Sequence, residues 1–508
     1  MQQLSNAYSA QPWSELERLS LASSTQFADW PALESARSRR LSAVWRTLAL
    51  SLVQSGADIR PLLVNAPGIG ALAETGESLS MQAGELESTF PTEAASRYYT
   101  AGLFFDQAGL TQQAAEAHSA AFRVVQLAVD GVGGGHEGQL DWRWHYDEVT
   151  VDGPARIDLG GGWSDTPPFC LDWGGTVLNI AVRLNGGCPI RTTVRRLREP
   201  VLRCIAGEDG ATIEYRTSEE LLVPTGPGDP FSIPKIAIRL SGIHRQQYAL
   251  AEILQRMGGG IEIRTSVDLP MGSGLGTSSI LAATTLRAVS EMIGMPMDDA
   301  ALSARVMRLE QLMTTGGGWQ DQMGGMVPGA KLLVSATGRQ QKVWVQPVVW
   351  TAERQTEFEN LLVLYYTGIR RVARDLVQQV VGRYLARETK CVQVLHRIKS
   401  LALEMTYALQ EGDWDHLGRL LNLHWQLNQV LDPNTTNPQI NSVLEQVRPF
   451  IRGAKLAGAG GGGFLILVAR SPEAARELRE SLESDCAGMN GAVFDCGIAA
   501  EGLLCQKH

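Results

Sequence analysis

The sequence predicts a chain of mixed helices and strands, with a helical stretch first and then strands that run into glycine-rich turns. Three observations carry that expectation. Residues 1–140 are rich in Ala, Ser, Gln and Glu, and their longest periodic pieces are helical. An apolar strand, Ala155-Arg156-Ile157-Asp158-Leu159, runs directly into Gly160-Gly161-Gly162. Residues 258–290 read as strand, glycine loop and helix in succession.

Composition bounds the rest. The 508 residues should hold about three domains by the length prior, and 44% hydrophobic residues describe a globular protein with ample core. The net charge is −9 with no basic block, which argues against nucleic acid as a partner. The apolar runs near Leu361–Tyr366 and Phe464–Ala469 are too short to span a bilayer, so no membrane is expected. No basic, apolar and small-residue series marks a signal peptide at the N-terminus. The seven cysteines are odd in number and lack CxxC spacing, which fits free thiols in a reducing cytoplasm.

In the helical region, Leu41, Val44, Trp45, Leu48 and Leu52 make one apolar stripe. Thr92–Gln107 and Thr111–Val129 form an αα-hairpin joined at Ala108-Gly109. Nothing there has catalytic spacing, so residues 1–140 read as a scaffold, a docking surface or the remainder of a longer chain. Gly131–Gly138, with five glycines in eight residues, reads as a linker. Trp142 and Trp144 alternate as on one strand face.

The strand 155–159 puts Arg156 and Asp158 on one side, and the turn after it presents Trp163 and Asp165. Val177–Leu184 is another strand. Asp229–Lys235 is a turn entering a helix, on which Lys235 reads as a solvated residue. Ile261, Ile263, Thr265 and Val267 alternate with Glu262, Arg264 and Ser266, the pattern of a half-buried strand. Then come Leu269-Pro270-Met271-Gly272-Ser273-Gly274-Leu275-Gly276-Thr277-Ser278-Ser279. Glycines let backbone N–H groups curl around an oxyanion, and the helix dipole favours a negative charge there. Thr277 and Ser278 are suited to cap that helix. No Gly-Lys-Ser/Thr follows, so this is not a Walker A loop.

A further helix puts Glu310 beside its buried stripe of Leu302, Val306, Leu309 and Met313, a costly place for a lone carboxylate. Asp321 stands between Gly316-Gly317-Gly318 and Gly324-Gly325. Arg370 onward is helical. On a later helix His424 and Asn428 share a face, placed either to reach a substrate or to form a structural pair. Lys455-Leu456-Ala457-Gly458-Ala459-Gly460-Gly461-Gly462-Gly463 then precedes a buried strand, and Ser471-Pro472-Glu473 caps a helix.

Pro-x-Gly-Ser-Gly-Leu-Gly-Thr-Ser-Ser resembles the ATP-binding signature of the GHMP kinases, and the turn at Asp165 and the glycine run at 458–463 resemble two further signatures. The resemblance covers roughly residues 150–508. It implies an α+β fold with a ribosomal-protein-like N-terminal kinase domain (141–333) and a ferredoxin-like C-terminal domain (334–508), preceded by the helical domain (1–140). It implies ATP bound by Pro270, Gly272, Ser273, Gly274, Leu275, Gly276, Thr277, Ser278, Ser279, Gly458, Gly460, Gly461 and Gly462. It implies Mg²⁺ on Ser278 and Glu310, with Asp321 and Arg156 catalytic. Asp165 would bind a free sugar, and Trp163 would be either an apolar wall beside it or a packed structural residue. The segments Gly161–Pro168, Asp229–Lys235 and Gly318–Gln322 resemble most the branch that phosphorylates L-fucose at its anomeric hydroxyl. A heptose-7-phosphate kinase is the alternative, and a non-catalytic sugar-binding regulator is the alternative from another class. A homo-oligomer, or a nucleotidyltransferase within a longer chain, is compatible with the sequence as partner.

Overall fold

The protein is described by a computed structural model over residues 30–130, 143–207, 210–223, 229–243, 248–270, 272–313, 317–339, 341–369, 374–485 and 490–508. The glycine linker, Trp142, Met271, Gly316 and Arg370 lie outside the described residues.

Among the described residues five helices come first: α1 (Trp30–Gln54), α2 (Arg60–Leu63), α3 (Ile69–Leu86), α4 (Pro91–Gln107) and α5 (Thr111–Asp130). The expected αα-hairpin is α4–α5. The stripe on α1 differs from expectation. Trp45 and Ala49 are buried, while Val44 is exposed, because the inner face is set by packing against Leu72, Leu79 and Phe104.

The next segment contains β1 (Glu148–Gly153), β2 (Ala155–Gly160), α6 (Phe169–Trp173), β3 (Thr176–Leu184), β4 (Ile190–Leu197), β5 (Leu202–Ala206) and β6 (Ala211–Tyr215). It continues with α7 (Ser218–Leu222), α8 (Ser232–Leu240), α9 (Leu250–Arg256), β7 (Gly260–Val267), α10 (Thr277–Met292), α11 (Asp299–Leu312), α12 (Gln320–Met326), β8 (Ala330–Ser335) and β9 (Val343–Pro347). Two expectations fail here. Trp144 precedes the first strand, and its buried indole N–H donates to the Gly259 carbonyl at 2.9 Å. Lys235 is buried, not solvated; its ammonium donates to the Val223 carbonyl at 2.7 Å and lies over the Tyr215 ring.

The remainder holds α13 (Ala352–Leu361), β10 (Leu362–Tyr366), α14 (Arg374–Leu385), α15 (Thr389–Glu411), α16 (Trp414–Leu431) and α17 (Pro438–Val447). After these come β11 (Ile451–Leu456), β12 (Phe464–Ala469), α18 (Pro472–Asp485), β13 (Ala492–Phe494), β14 (Cys496–Ile498) and β15 (Leu504–Lys507). Ser471 caps α18 as expected, its hydroxyl accepting the Ala474 N–H.

Among the described residues three sheets result. The first has the order β15-β1-β4-β7-β5-β6; the second, β11-β12-β10-β13, is antiparallel throughout. The third is β14-β3-β8-β9, with β2 also on β3. A boundary at 333 therefore falls inside β8, and the last strands return to pair with β3 and β1. One apolar cluster, including Leu178, Leu332, Leu364, Leu401, Leu421 and Ile466, joins the second and third sheets across α15 and α16. The helical region is seated on this body. Ala94, Ala121 and Val124 pack on Val381 and Leu385 of α14, and the buried Ser96 hydroxyl donates to the Leu385 carbonyl at 2.7 Å.

α16 and β11 touch backbone to backbone at Gly418 and Gly453, where a methyl on either would collide with the other strand of chain. Gly453→Ala should therefore destabilise the fold by about 1–3 kcal/mol, the usual cost of overpacking. Denaturant unfolding monitored by far-UV circular dichroism measures this, and a midpoint unchanged from wild type would refute the close contact.

Candidate active site

β2 brings Arg156 and Asp158 to one face, both buried. The chain then turns through Gly161 and Trp163, at φ of 92° and 83°. Such a φ is costly for a bulky residue. It is held here by the Ser164 hydroxyl, which donates to the Gly161 carbonyl at 2.6 Å and accepts the Thr176 N–H. Trp163 itself packs among Phe169, Val380, Tyr384 and Leu431, so its ring is part of an apolar cluster.

Asp165 follows, buried against the N-terminal end of α12. It accepts the Gln320 backbone N–H at 3.3 Å and the Gln320 side-chain amide at 2.9 Å. Gly318 is required for that approach, since a methyl there would collide with the Asp165 carboxylate. Burial, reinforced by the Asp321 charge, pushes the Asp165 pKa up to about 7, although the Gln320 N–H pulls the other way.

Asp321 lies in the first turn of α12. Its Oδ1 accepts from Arg156 Nε at 3.0 Å and also from Nη2. The third arm of the same guanidinium, Nη1, donates to the Gly274 carbonyl at 2.7 Å. The stem of Arg156 runs between Gly276 and Gly324, where added side chains would strike it. Burial opposes the guanidinium charge, yet Asp321 and Asp158 outweigh it and keep its pKa above the ordinary value.

The glycine loop holds Gly272, Gly274 and Gly276 at φ of 74–76°. Gly276 takes the N-cap position of α10, so neither Thr277 nor Ser278 caps the helix as the sequence suggested. Thr277 instead shares a hydrogen bond of 2.8 Å with the Ser273 hydroxyl. The later glycine run lies against this loop: Phe464 N–H donates to the Ser273 carbonyl at 3.1 Å, and Gly274 faces the Ala457 carbonyl. At Gly460 and Gly462 the room that glycine provides is taken by Thr435 and by the Ile369 carbonyl. Those two glycines are thus demanded by protein packing as well as by any ligand.

Glu310 is buried, and burial raises its pKa to about 8, with Asp321 and Asp165 adding to the rise. The hydroxyl bonded to it is that of Ser279; Ser278, one residue earlier, is exposed. Among the described residues no group of three His, Cys, Asp or Glu forms a ready-made metal site. Magnesium at a phosphate site needs only one or two carboxylates, the remaining positions going to phosphate and water. A hard-oxygen set of Glu310 and a serine hydroxyl, in a carboxylate-rich surround, fits that ion.

Sequence reasoning missed the other buried pair. Lys455, fully buried on β11, donates to Asp158 Oδ2 at 3.0 Å. The Lys455 and Arg156 charges hold the Asp158 carboxyl below its usual pKa against the effect of burial. The signals were present: Asp158 shares a face with Arg156, and Lys455 opens the glycine segment. Lys331 was also missed. It is buried, with its ammonium on the Gly324, Val327 and Gly329 carbonyls, where it ties down the C-terminal end of α12.

Profiles of two protein families match the chain: GHMP kinases N terminal domain over residues 244–328 and GHMP kinases C terminal over 405–488. Over those two segments the chain is similar to the GHMP kinases. It is 38% identical over 361 residues, 70% of its length, to the L-fucokinase/L-fucose-1-P guanylyltransferase of Bacteroides fragilis. It is 36% identical over 335 residues, 66% of its length, to the bifunctional fucokinase/GDP-fucose pyrophosphorylase of Arabidopsis thaliana. The chain spans only 38% and 31% of those two relatives. A D-glycero-D-manno-heptose 1-phosphate kinase from Bacteroides thetaiotaomicron shares the fold, with a TM-score of 0.53 at 21% identity, over 71% of this chain and 99% of that one.

The raised Glu310 pKa has a consequence for stability. The folded value of about 8 lies above the ordinary 4.5, so the contribution is whole below that lower value and is lost as pH rises through the folded one. In Mg²⁺-free buffer, wild type should lose about 2–4 kcal/mol relative to Glu310→Gln between about pH 5 and pH 8. Thermal unfolding of both proteins across that range checks it; parallel curves would contradict the buried, carboxylate-crowded environment.

Proposed function

We propose that the protein transfers the γ-phosphoryl group of ATP to the anomeric hydroxyl of a free sugar, L-fucose, giving L-fucose 1-phosphate. The observation that carries this is the single guanidinium of Arg156 joining the carboxylate of Asp321 to the glycine loop at Gly274. Phosphoryl transfer is mostly positioning and charge neutralisation. A phosphate cradled by the glycine loop and the N-terminal turn of α10 would lie beside Arg156. Asp321, held by two nitrogens of the same side chain but about a third exposed, is free to face a substrate hydroxyl. It orients that hydroxyl and accepts its proton as the bond to phosphorus forms. Asp165 and Gln320, tied to each other, hold neighbouring sugar hydroxyls. Glu310, with Ser279 or the exposed Ser278 beside it, would hold Mg²⁺. When bound, that ion supplies positive charge to the phosphate oxygens.

A free sugar is favoured over a heptose 7-phosphate by how three buried cations of the kinase segments are used among the described residues. Arg156 is paired with Asp321, Lys455 with Asp158, and Lys331 with backbone carbonyls. A substrate phosphate remote from the reacting hydroxyl would need a further cation. The carboxylates argue against a non-catalytic sugar-binding regulator, which has no use for Glu310 and Asp321 together. Among the described residues no helix is long and apolar enough to cross a membrane, and the six described cysteines are free, which suits a cytoplasmic enzyme.

Asp321→Asn should lower kcat by about 10²–10⁴ with sugar and ATP binding nearly intact, the usual worth of a positioned acid–base group. A coupled kinase assay with a sugar panel tests substrate and residue together. L-Fucose should be used well, L-galactose less well by the about 1–3 kcal/mol that a methyl pocket supplies, and D-galactose very poorly. Better turnover of a heptose 7-phosphate than of L-fucose would overturn the substrate; near-normal turnover by Asp321→Asn would remove that residue from its role.

A further inference from the structure

The groups assigned to the sugar so far come from the glycine turn and α12. α16 crosses the same turn from the C-terminal half and presents His424 and Asn428, one helical turn apart on one face. Both are buried, at 0% and 1% exposure. His424 Nε2 accepts the Gly161 N–H at 3.2 Å. Burial, and then the Lys455 charge, drive the His424 pKa down to about 3, so the ring is neutral. With Nε2 accepting, the ring proton belongs on Nδ1.

That Nδ1, and both Nδ2 and Oδ1 of Asn428, have no hydrogen-bond partner among the described residues. Across the glycine turn, Asp158 Oδ1 and Gln320 Oε1 are in the same condition. Gly162 keeps these groups adjacent: a methyl there would strike Asp158 and lie 3.3 Å from Gln320 Nε2. A buried amide with neither of its polar atoms satisfied is rare and destabilising, and a leucine would fill the same volume without that cost. The apolar neighbours Leu427 and Leu431 show that this helix has no shortage of such residues.

We propose that His424 and Asn428 form a second hydroxyl-recognition subsite, which grips the sugar from the C-terminal half while Asp165 grips it from the other. The inference rests on the sugar-kinase function proposed above. The subsite offers an imidazole donor, an amide donor and an amide acceptor, with no net charge. Sugar hydroxyls, each both donor and acceptor, match that set; a phosphate does not. These two residues are therefore determinants of specificity for an unphosphorylated sugar.

Asn428→Leu separates this from a structural role. The subsite predicts that the variant melts at or above the wild-type temperature, because an unsatisfied buried amide has been replaced by an apolar isostere. It predicts a kcat/KM for the best wild-type sugar lowered by about 10–100-fold, the worth of one or two hydrogen bonds, with the KM for ATP unchanged. Sugar added without ATP should raise the melting temperature of wild type and not that of the variant. A variant that melts well below wild type, or one that keeps the wild-type kcat/KM and sugar-induced shift, overturns the subsite while the kinase function stands. A wild type that phosphorylates no sugar, and is stabilised by none, overturns both.

Discussion

The structure depends on one buried guanidinium. Arg156 is 2% exposed, and a cation so placed persists only when its donors are met by acceptors. Its three nitrogens reach a carboxylate from α12 and a carbonyl from the glycine loop, so the charge is neutralised by two elements far apart in sequence. Several features follow from making room for it. Gly276 and Gly324 lack side chains where its stem passes, and Lys331 fastens the C-terminal end of α12 whose first turn carries Asp321. The relative placement of Asp321 and the glycine loop is therefore fixed by the requirement that this charge be satisfied.

Around that cation the site is rich in carboxylates. Asp165 and Glu310 are both pushed upward in pKa by burial, with Asp321 contributing to each. Asp158 differs, because Lys455 answers it directly. Such a surround disfavours further negative charge while it holds no cation. Two glycine-rich segments, one entering α10 and one leaving β11, meet at Ser273 and Phe464 and bring the elements before β8 and those after it together beside it.

Much of this was legible in the sequence because glycine loops and turns are local. Gly272, Gly274 and Gly276 form a tight loop at positive φ, and Asp165 follows the glycine turn as expected, while Asp321, between its flanking glycines, stands in the first turn of a helix. What could not be read depends on distance or rotation. Asp158 meets Lys455 across 297 residues, and Gly161 meets His424 across 263. Whether Ser278 or Ser279 faces Glu310 turns on where α10 starts, since each helical residue rotates the side chain by about 100°. The stripe on α1 was misjudged at Val44 for a similar reason, because the partner helices choose the inner face. Trp144 has strand-like spacing, yet it serves to anchor the chain at Gly259 before the strand begins.

The most direct test of the role given to Arg156 is steady-state transfer from ATP to L-fucose by Arg156→Lys. An ammonium keeps the charge but lacks the planar fork, so it cannot serve Asp321 and Gly274 together. The expected result is a folded protein with nearly unchanged affinity for ATP and sugar and kcat lowered by about 10²–10³, the typical loss on removing one preorganised donor. Turnover within a few-fold of wild type would contradict the account.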